Sequence, residues 1–493
     1  MIRNYFTAVL LALLSLQAYA HKGVGCWRGK APVRHSAQAR QVGMGQRTHY
    51  TGQKRGLVIL AEFTDKKFKT GNDREKYQQI LNTPGYTTSE GFKGSVADYF
   101  RDQSAGLFEL TFDVFGPYTA AHSERYYGEN DANGDDKLPQ ELIKEMCIAV
   151  DGEVDFNDYD WDGDGEVDEV FVVYAGKGEV DTYQTNLIWP HMWALEEAGT
   201  SLTLDDVAIN VYACSNELMS NGKINGIGTF CHEFSHCLGF PDFYDINYSG
   251  LYGMGGFDLM ADGNYNGNGF CPVGYTAYEK MMCGWQDPIV LGSEDVSVSN
   301  LKPMSEHGDT YIIYNEAWPD EYYMIENRQK TGWDSYFIAA GLMITHVDFD
   351  QEVWENNIPN TIVTDEEAEE MELSCGNDHQ RMTFFHANNK KDSPLLYPYL
   401  KRDSLTANST PAAKLFNPNS LGTMLWQGAI RNITLNTDGT INFSYHAGQT
   451  GIVDAIGPAT NAPHPAPVYD LQGRRVTDMR RGIYITGGRK IVR

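Results

Sequence analysis

Thr229-Phe230-Cys231-His232-Glu233-Phe234-Ser235-His236-Cys237-Leu238-Gly239-Phe240-Pro241-Asp242 is the stretch on which the reading of this 493-residue chain turns. It contains His-Glu-x-x-His followed by x-x-Gly-x-x-Asp. Residues four apart on a helix share a face, with Cβ atoms roughly 5–6 Å apart, so His232 and His236 can reach one ion. Glu233 is the next residue round, where a carboxylate can meet metal-bound water without being a ligand. Gly239 has little use inside a helix but suits a left-handed C-terminal cap. The cap turns the chain back, and Pro241 stiffens the approach of Asp242 as a third, oxygen ligand within zinc's habits. A bare His-Glu-x-x-His also occurs on ordinary surface helices; the glycine and aspartate in register set this one apart. The expectation is a catalytic zinc held by His232, His236 and Asp242, with an open fourth position for water and Glu233 as general base.

Working outward, the chain begins Met1-Ile2-Arg3-Asn4 and runs through an apolar segment from Tyr5 to Leu16 to the small-x-small pattern Ala18-Tyr19-Ala20. Residues 1–20 read as a secretory signal peptide, too short for a stable bilayer-spanning helix. No later run is long and apolar enough for a transmembrane helix, so the expected protein is secreted, extracellular or at the cell surface. The formal charge is −27. Such an acidic balance argues against nucleic acid as a partner. The eight cysteines lack paired zinc-ribbon spacing, and disulfide connectivity is not legible from their order. Cys231 and Cys237 fall on differing faces of the metal helix and read as buried thiols.

Residues 21–54 hold seven Lys and Arg and no acid, and read as a propeptide or N-terminal arm. Cys26 within it is either a thiolate that caps the zinc in a latent form or a cysteine free or paired elsewhere. The folded part starts with the buried strand Arg55 to Phe63. A helix follows within Gly94–Gly106, then a strand from Leu107 to Phe115 and a helix from Pro139 to Val150, with proline in its first turn. Strands over Val167–Ala175 and Val207–Ala213 precede the metal helix, which is expected over Ile224–Leu238 after an edge-like strand. These elements predict an α/β (α+β) zincin-like catalytic domain over 55–288. Beyond Asp287-Pro288, apolar alternation in Tyr311–Tyr314, Tyr323–Asn327, Leu342–Val347 and Thr440–His446 predicts a β-rich domain over 289–446. A Gly/Pro/Ala-rich linker at 447–466 leads to a basic C-terminal tail, 467–493, with two short strand pieces around glycine turns.

Three further features bear on chemistry. In Asp158-Tyr159-Asp160-Trp161-Asp162-Gly163-Asp164-Gly165, the carboxylates of Asp160, Asp162 and Asp164 alternate as in the first half of a calcium loop, with glycine for the sharp turn. The twelfth position from Asp160 is Phe171, which excludes an EF-hand, so Asp168 or Glu169 would complete a calcium shell; a plain acidic loop is the alternative. Asp131 to Asp136 is a weaker loop of the same kind. Gly255 to Gly263 reads as a tight turn presenting Met260, placed where metzincin-type proteases put a Met-turn beneath the metal. His191 and His346, flanked by aromatics or set on a strand, read as hydrogen-bonded core residues.

The segments Gly226–Asp245 and Gly253–Met260 resemble the immune inhibitor A-type family of secreted bacterial metallopeptidases. Shorter stretches join them: Ser95–Gly106, Asp160–Gly176, Trp189-Pro190-His191, Glu326-Asn327-Arg328 and Gly341–Asp348. The resemblance spans roughly residues 55 to 445. It implies zinc at His232, His236 and Asp242, a general base at Glu233, and structural calcium. No tyrosine directly follows Met260, as one commonly does in metzincins, and the oxyanion stabiliser is unassigned. The tail resembles C-terminal sorting signals of Bacteroidetes-type secreted proteins, which an outer-membrane export machinery reads. The expected function is a secreted zinc-dependent endopeptidase acting on protein or peptide substrates. The alternative is a binding protein or adhesin on a metalloprotease scaffold without turnover, against which the intact Glu233 speaks.

Overall fold

The computed structural model describes residues 49–371 and 373–448, and the backbone of four short strands between 468 and 492. The signal segment, most of the basic arm, Cys26 and most of the linker lie outside the described residues. The first sheet is built from β1 (Gly52–Glu62), β2 (Phe108–Thr119), β3 (Val170–Lys177), β4 (His191–Ala194) and β7 (Val211–Leu218), with β5 (Leu202–Leu204) and β6 (Val207–Ile209) forming a separate hairpin. Its strand order is β2-β1-β3-β7-β4. The first four strands run parallel, and β4 adds an antiparallel edge. Parallel neighbours need crossovers. Those between β1 and β3 carry α1 (Arg74–Asn82), α2 (Val96–Gln103), α3 (Glu124–Gly128) and α4 (Pro139–Val150), while α5 (Glu179–Thr182) follows β3.

Because side chains alternate across a strand, this sheet feeds two cores. Val58, Leu60, Phe171 and Val173 point into one, together with α6 (Gly228–Cys237). Leu57, Ile59, Val170 and Val172 point into the other, against Leu142, Met146 and Val150 of α4. Burial on both faces explains why Leu57 to Ala61 reads as a continuous apolar run rather than an alternating one. The helix Pro139–Val150 keeps the bounds its sequence suggests.

Two expectations change. The single strand expected over Val207–Ala213 is divided at Asn210, whose side-chain Oδ1 accepts the Glu196 N–H and whose carbonyl accepts the Leu195 N–H. Those bonds take Asn210 out of the ladder, so β6 pairs with β5 while β7 joins the main sheet. Consequently α6 follows an inner strand, since β4 covers the outer side of β7.

After α7 (Ala277–Met282) come two further sheets. One comprises β8 (Ile289–Val290), β10 (Tyr311–Asn315), β11 (Trp318–Arg328), β12 (Gly341–Asp348) and β13 (Met382–Phe384), in the order β13-β12-β11-β10-β8. The other comprises β9 (Val296–Leu301), β14 (Leu405–Thr406), β15 (Ala429–Leu435) and β16 (Ile441–His446), in the order β14-β15-β16-β9. Two short helices, α8 (Gln351–Glu355) and α9 (Asp365–Glu370), interrupt this half. Tyr322, Met324, Met343 and Val347 pack into the core that contains α6, whereas Tyr323, Ile325, Leu342 and Ile344 pack between the two C-terminal sheets. The chain step at 288 is therefore a change of sheet inside one compact unit, to which all described residues up to 448 belong.

Beyond it, a second unit contains β17 (Val468–Tyr469), β18 (Arg475–Val476), β19 (Ile483–Thr486) and β20 (Arg489–Val492), an antiparallel sheet ordered β18-β17-β19-β20. Each of the two strand pieces expected from sequence is thus a pair of antiparallel strands.

Candidate metal centre

Every residue of α6 is buried. Phe230 stacks on Phe171 of β3 at 3.8 Å between ring centroids, and Phe234 sits 4.9 Å from Phe100 of α2. One helix face is thereby fixed to the sheet and the opposite one turned to the ligands. Gly228 permits this depth, because a Cβ there would lie 1.9 Å from the Asn264 carbonyl oxygen. At the other end Gly239 has φ +100°, the left-handed turn expected of it. The chain then reverses and brings Asp242 back over the helix.

His232, His236 and Asp242 offer ligand atoms that all lie within 4.8 Å of one another, and all three side chains are buried. Asp242 Oδ1 stands 3.2 Å from His232 Nε2 and 3.4 Å from His236 Nε2. Each ring's other nitrogen faces a carbonyl: His232 Nδ1 donates to Leu259 O at 2.8 Å and His236 Nδ1 to Phe240 O at 2.7 Å. Carbonyls only accept, so these bonds set the tautomer. In the neutral rings the Nε2 lone pairs then point at a carboxylate oxygen, an arrangement that a cation between them satisfies. Burial holds the His236 imidazole below its usual pKa, despite the opposing pull of Asp242. Burial alone would raise the Asp242 carboxyl, but His236 and His232 outweigh it and the net shift is downward. A neutral imidazole beside an ionised carboxylate is the protonation state that divalent metal binding requires. Two nitrogen donors and one oxygen donor, buried and pre-oriented, fit zinc.

Glu233 is buried on α6 beside the two histidines. Met260 is fully buried in the turn after the helix. Its N–H donates to Asp258 Oδ1 at 2.8 Å, and its carbonyl accepts the Phe243 N–H at 2.6 Å. With Leu259 holding His232, this turn grips both the helix and the segment that carries Asp242.

A residue that sequence reading passed over clamps Asp242. Asn357, just after α8, donates Nδ2 to Asp242 Oδ2 at 2.8 Å, while its Oδ1 accepts the Asp242 N–H at 2.6 Å. Asn360 and Thr361 brace the following residues, through Phe243 O and the Ile246 N–H. Nothing local marks Asn357, which stands 115 residues from Asp242. Its one signal is a run of buried polar residues, Asn357, Asn360 and Thr361, beside a short helix. Outer partners of this kind typically carry about 10–100-fold of metal affinity or activity. Asn357→Ala is expected to weaken zinc binding by that order, read by competition with a chromogenic chelator; an unchanged affinity would count against this role.

The acidic loop closes on itself. Asp160 accepts the N–H groups of Gly163, Asp164 and Gly165, and the Trp161 N–H donates to Asp168. Carboxylates of Asp160, Asp162 and Asp168 converge within 4.8 Å. Asp164 is not in that set; its Oδ1 accepts the Glu166 N–H. In the weaker loop, Asp131 Oδ1 accepts from Asn133 and Asp135. His191 bonds Trp189 O and Tyr212, and His346 bonds Glu321 while stacked between Phe385 and Phe416, so neither joins the metal cluster. None of the seven described cysteines is in a disulfide.

Residues 47–286 match the model of the immune inhibitor A peptidase M6 catalytic domain. Immune inhibitor A of Bacillus thuringiensis subsp. alesti is 24% identical over 267 residues, covering 45% of this chain and 38% of that protein. The pre-pro-metalloprotease PrtV of Vibrio cholerae serotype O1, in two strains, is 26% identical over 243 residues, covering 41% of this chain and 25% of the relative. The chain thus spans well under half the length of these relatives. The matched segment, residues 47–286, contains the buried His232, His236 and Asp242 cluster and is similar to the metallopeptidases of the immune inhibitor A family.

Proposed function

We propose that the chain is a secreted zinc-dependent endopeptidase that hydrolyses peptide bonds in proteins, with Glu233 as general base. The observation that carries this reading is the pair of imidazole Nε2 atoms turned onto the buried Asp242 carboxylate, with both Nδ1 atoms engaged by carbonyls. Zinc bound there supplies Lewis acidity, polarising a carbonyl and making a water acidic near neutral pH. The chain's own residues do the rest. Glu233 takes the proton of the attacking water and returns it to the leaving amine. Leu259 O and Phe240 O hold the two rings, Asn357 aims Asp242, and the turn bearing Met260 closes the floor beneath them.

Export is the compartment that suits a degradative enzyme, and residues 1–20 carry the signal for it. No helix among the described residues is long and apolar enough to cross a membrane. We assign the basic tail to recognition by export machinery. The converging carboxylates of Asp160, Asp162 and Asp168, the last of them buried, support a structural calcium site.

The decisive experiment measures zinc by elemental analysis and cleavage of an unfolded protein by the same preparation. Zinc at one-to-one ratio, with cleavage lost to a chelator and restored by zinc but not calcium, is the expected result. A zinc-loaded protein that cleaves no unfolded substrate would favour the binding-protein alternative. After chelation, calcium added without zinc is expected to raise the melting temperature; no rise would leave the acidic loop a hydrogen-bonded turn.

A further inference from the structure

Lys280, on α7, is 4% exposed, and among the described residues no carboxylate stands within ion-pair reach of its ammonium. The acids around it are committed elsewhere. Asp334 receives Arg328 Nε and Nη2 at 2.8 Å and the Gly274 N–H at 2.9 Å. Glu326 receives Arg328 Nη1 at 2.9 Å and the Ala277 N–H. Glu279 turns one oxygen back to cap its own helix at Thr276. A buried, unpartnered ammonium is costly. Burial, followed by the repulsion of Arg328, lowers its pKa to about 8 against the pull of Asp334, Glu326 and Glu279.

Lys280 does not end in packed core. It lines a cleft of about 670 Å³ between α2, α7 and the turns at 304–307 and 330–335. Small-molecule sites typically have volumes of roughly 300–1,000 Å³. Lys93 and Lys330 stand exposed on the same cleft, and Met304 and Trp333 give it apolar walls. One exposed acid, Asp102, also borders it, but its Oδ2 already accepts Trp333 Nε1 at 2.9 Å. Three lysines lining one cleft stand out in a chain of net charge −27. None of the groups assigned to the metal centre lines this cleft.

We propose that this cleft binds a small organic oxyanion, a carboxylate or phosphate monoester with an apolar body. Lys280 is its buried anchor, Lys93 and Lys330 draw it in, and Trp333 and Met304 take the apolar part. The site stands apart from the peptidase reading and does not depend on it.

Calorimetric titration of the full chain with N-acetylphenylalanine, its uncharged amide and phenyl phosphate tests this. A hydrogen bond to a charged group contributes about 1.5–3 kcal/mol, roughly a ten- to hundredfold effect. The acid or the phosphate is therefore expected to bind at least about tenfold tighter than the amide, and equally with and without chelator, which separates the cleft from the metal centre. Preference between the two anions identifies the natural headgroup, and either preference supports the proposal. Lys280→Met is expected to remove most of this affinity. The exposed Lys93→Glu/Lys330→Glu pair, which leaves the core untouched, is expected to weaken binding even if the first variant folds poorly. Affinity is expected to fall as pH rises through about 8, where the Lys280 ammonium, faced by Arg328, Asp334, Glu326 and Glu279 and sharing the cleft with Lys93, Asp102, His307 and Lys330, loses its proton. Equal binding of acid and amide, no saturable binding of any probe, or unchanged affinity in both lysine variants would overturn the proposal.

Discussion

Glu233→Ala is expected to lower peptide cleavage by roughly 10²–10⁴-fold, the usual contribution of a positioned general acid–base group, while zinc stays bound. The argument rests on position. Glu233 shares α6 with His232 and His236, which with Asp242 form a cluster able to hold a metal ion without it. Removing the carboxylate should therefore spare metal content and take away only the proton acceptor. Glu233→Gln, which keeps volume and hydrogen-bonding capacity but accepts no proton, is expected to lose as much. The measurements are zinc per chain and the cleavage rate of an unfolded protein, compared with wild type. Cleavage at the wild-type rate in either variant would remove Glu233 from the mechanism. Loss of zinc along with activity would instead make its role one of holding the metal.

Arg328→Met is expected to destabilise the protein by about 3–5 kcal/mol, as breaking a buried ion pair typically does. The guanidinium is fully buried beneath Phe337, whose ring centroid is 4.6 Å from its Cζ. It joins Asp334, Glu326 and the Gly274 carbonyl at 2.8–2.9 Å. Burial would depress its pKa, but Asp334 and Glu326 outweigh that and raise it, so the group stays charged at every working pH. Glu326 also receives the first N–H of α7, so one cation ties β11, α7 and the turn at 332–336 together. Deleting it leaves two carboxylates buried without their partner. Urea unfolding reads the loss, and adding Glu326→Gln and Asp334→Asn to the same chain is expected to recover much of it. A single variant within about 1 kcal/mol of wild type would mean that these charges are solvated in solution.

The contrast between Glu233 and Arg328 shows what was legible before the fold. Glu233, His232, His236 and the cap at Gly239 depend on helical spacing and one left-handed turn, both local properties of a short sequence. Arg328 belonged to a recognisable Glu-Asn-Arg stretch, yet its partner Asp334 and its closeness to α7 follow from how β11 packs. The strand expected through Asn210 failed for a similar reason: a side-chain and a backbone bond to the 195–196 segment, outside the predicted strand, outcompeted the ladder. Asp160, Asp162 and Asp168 do converge, but Asp164, which alternation groups with them, is engaged by the Glu166 N–H.

By itself, the sequence determined the helix that offers two imidazoles on one face, the turn that brings an aspartate back, and the mixed α/β character around them. Each follows from periodicity and local backbone preference, which neighbouring residues suffice to set. The tertiary structure decided the rest of the centre. The tautomer-setting contact of His232 comes from a turn 27 residues downstream, and the clamp on Asp242 comes from Asn357 in the C-terminal half. The lone ammonium of Lys280 beside a cleft is likewise a consequence of packing. Buried polar groups take whichever partner the folded chain delivers within hydrogen-bond reach, and that delivery depends on which sheet faces meet across the core.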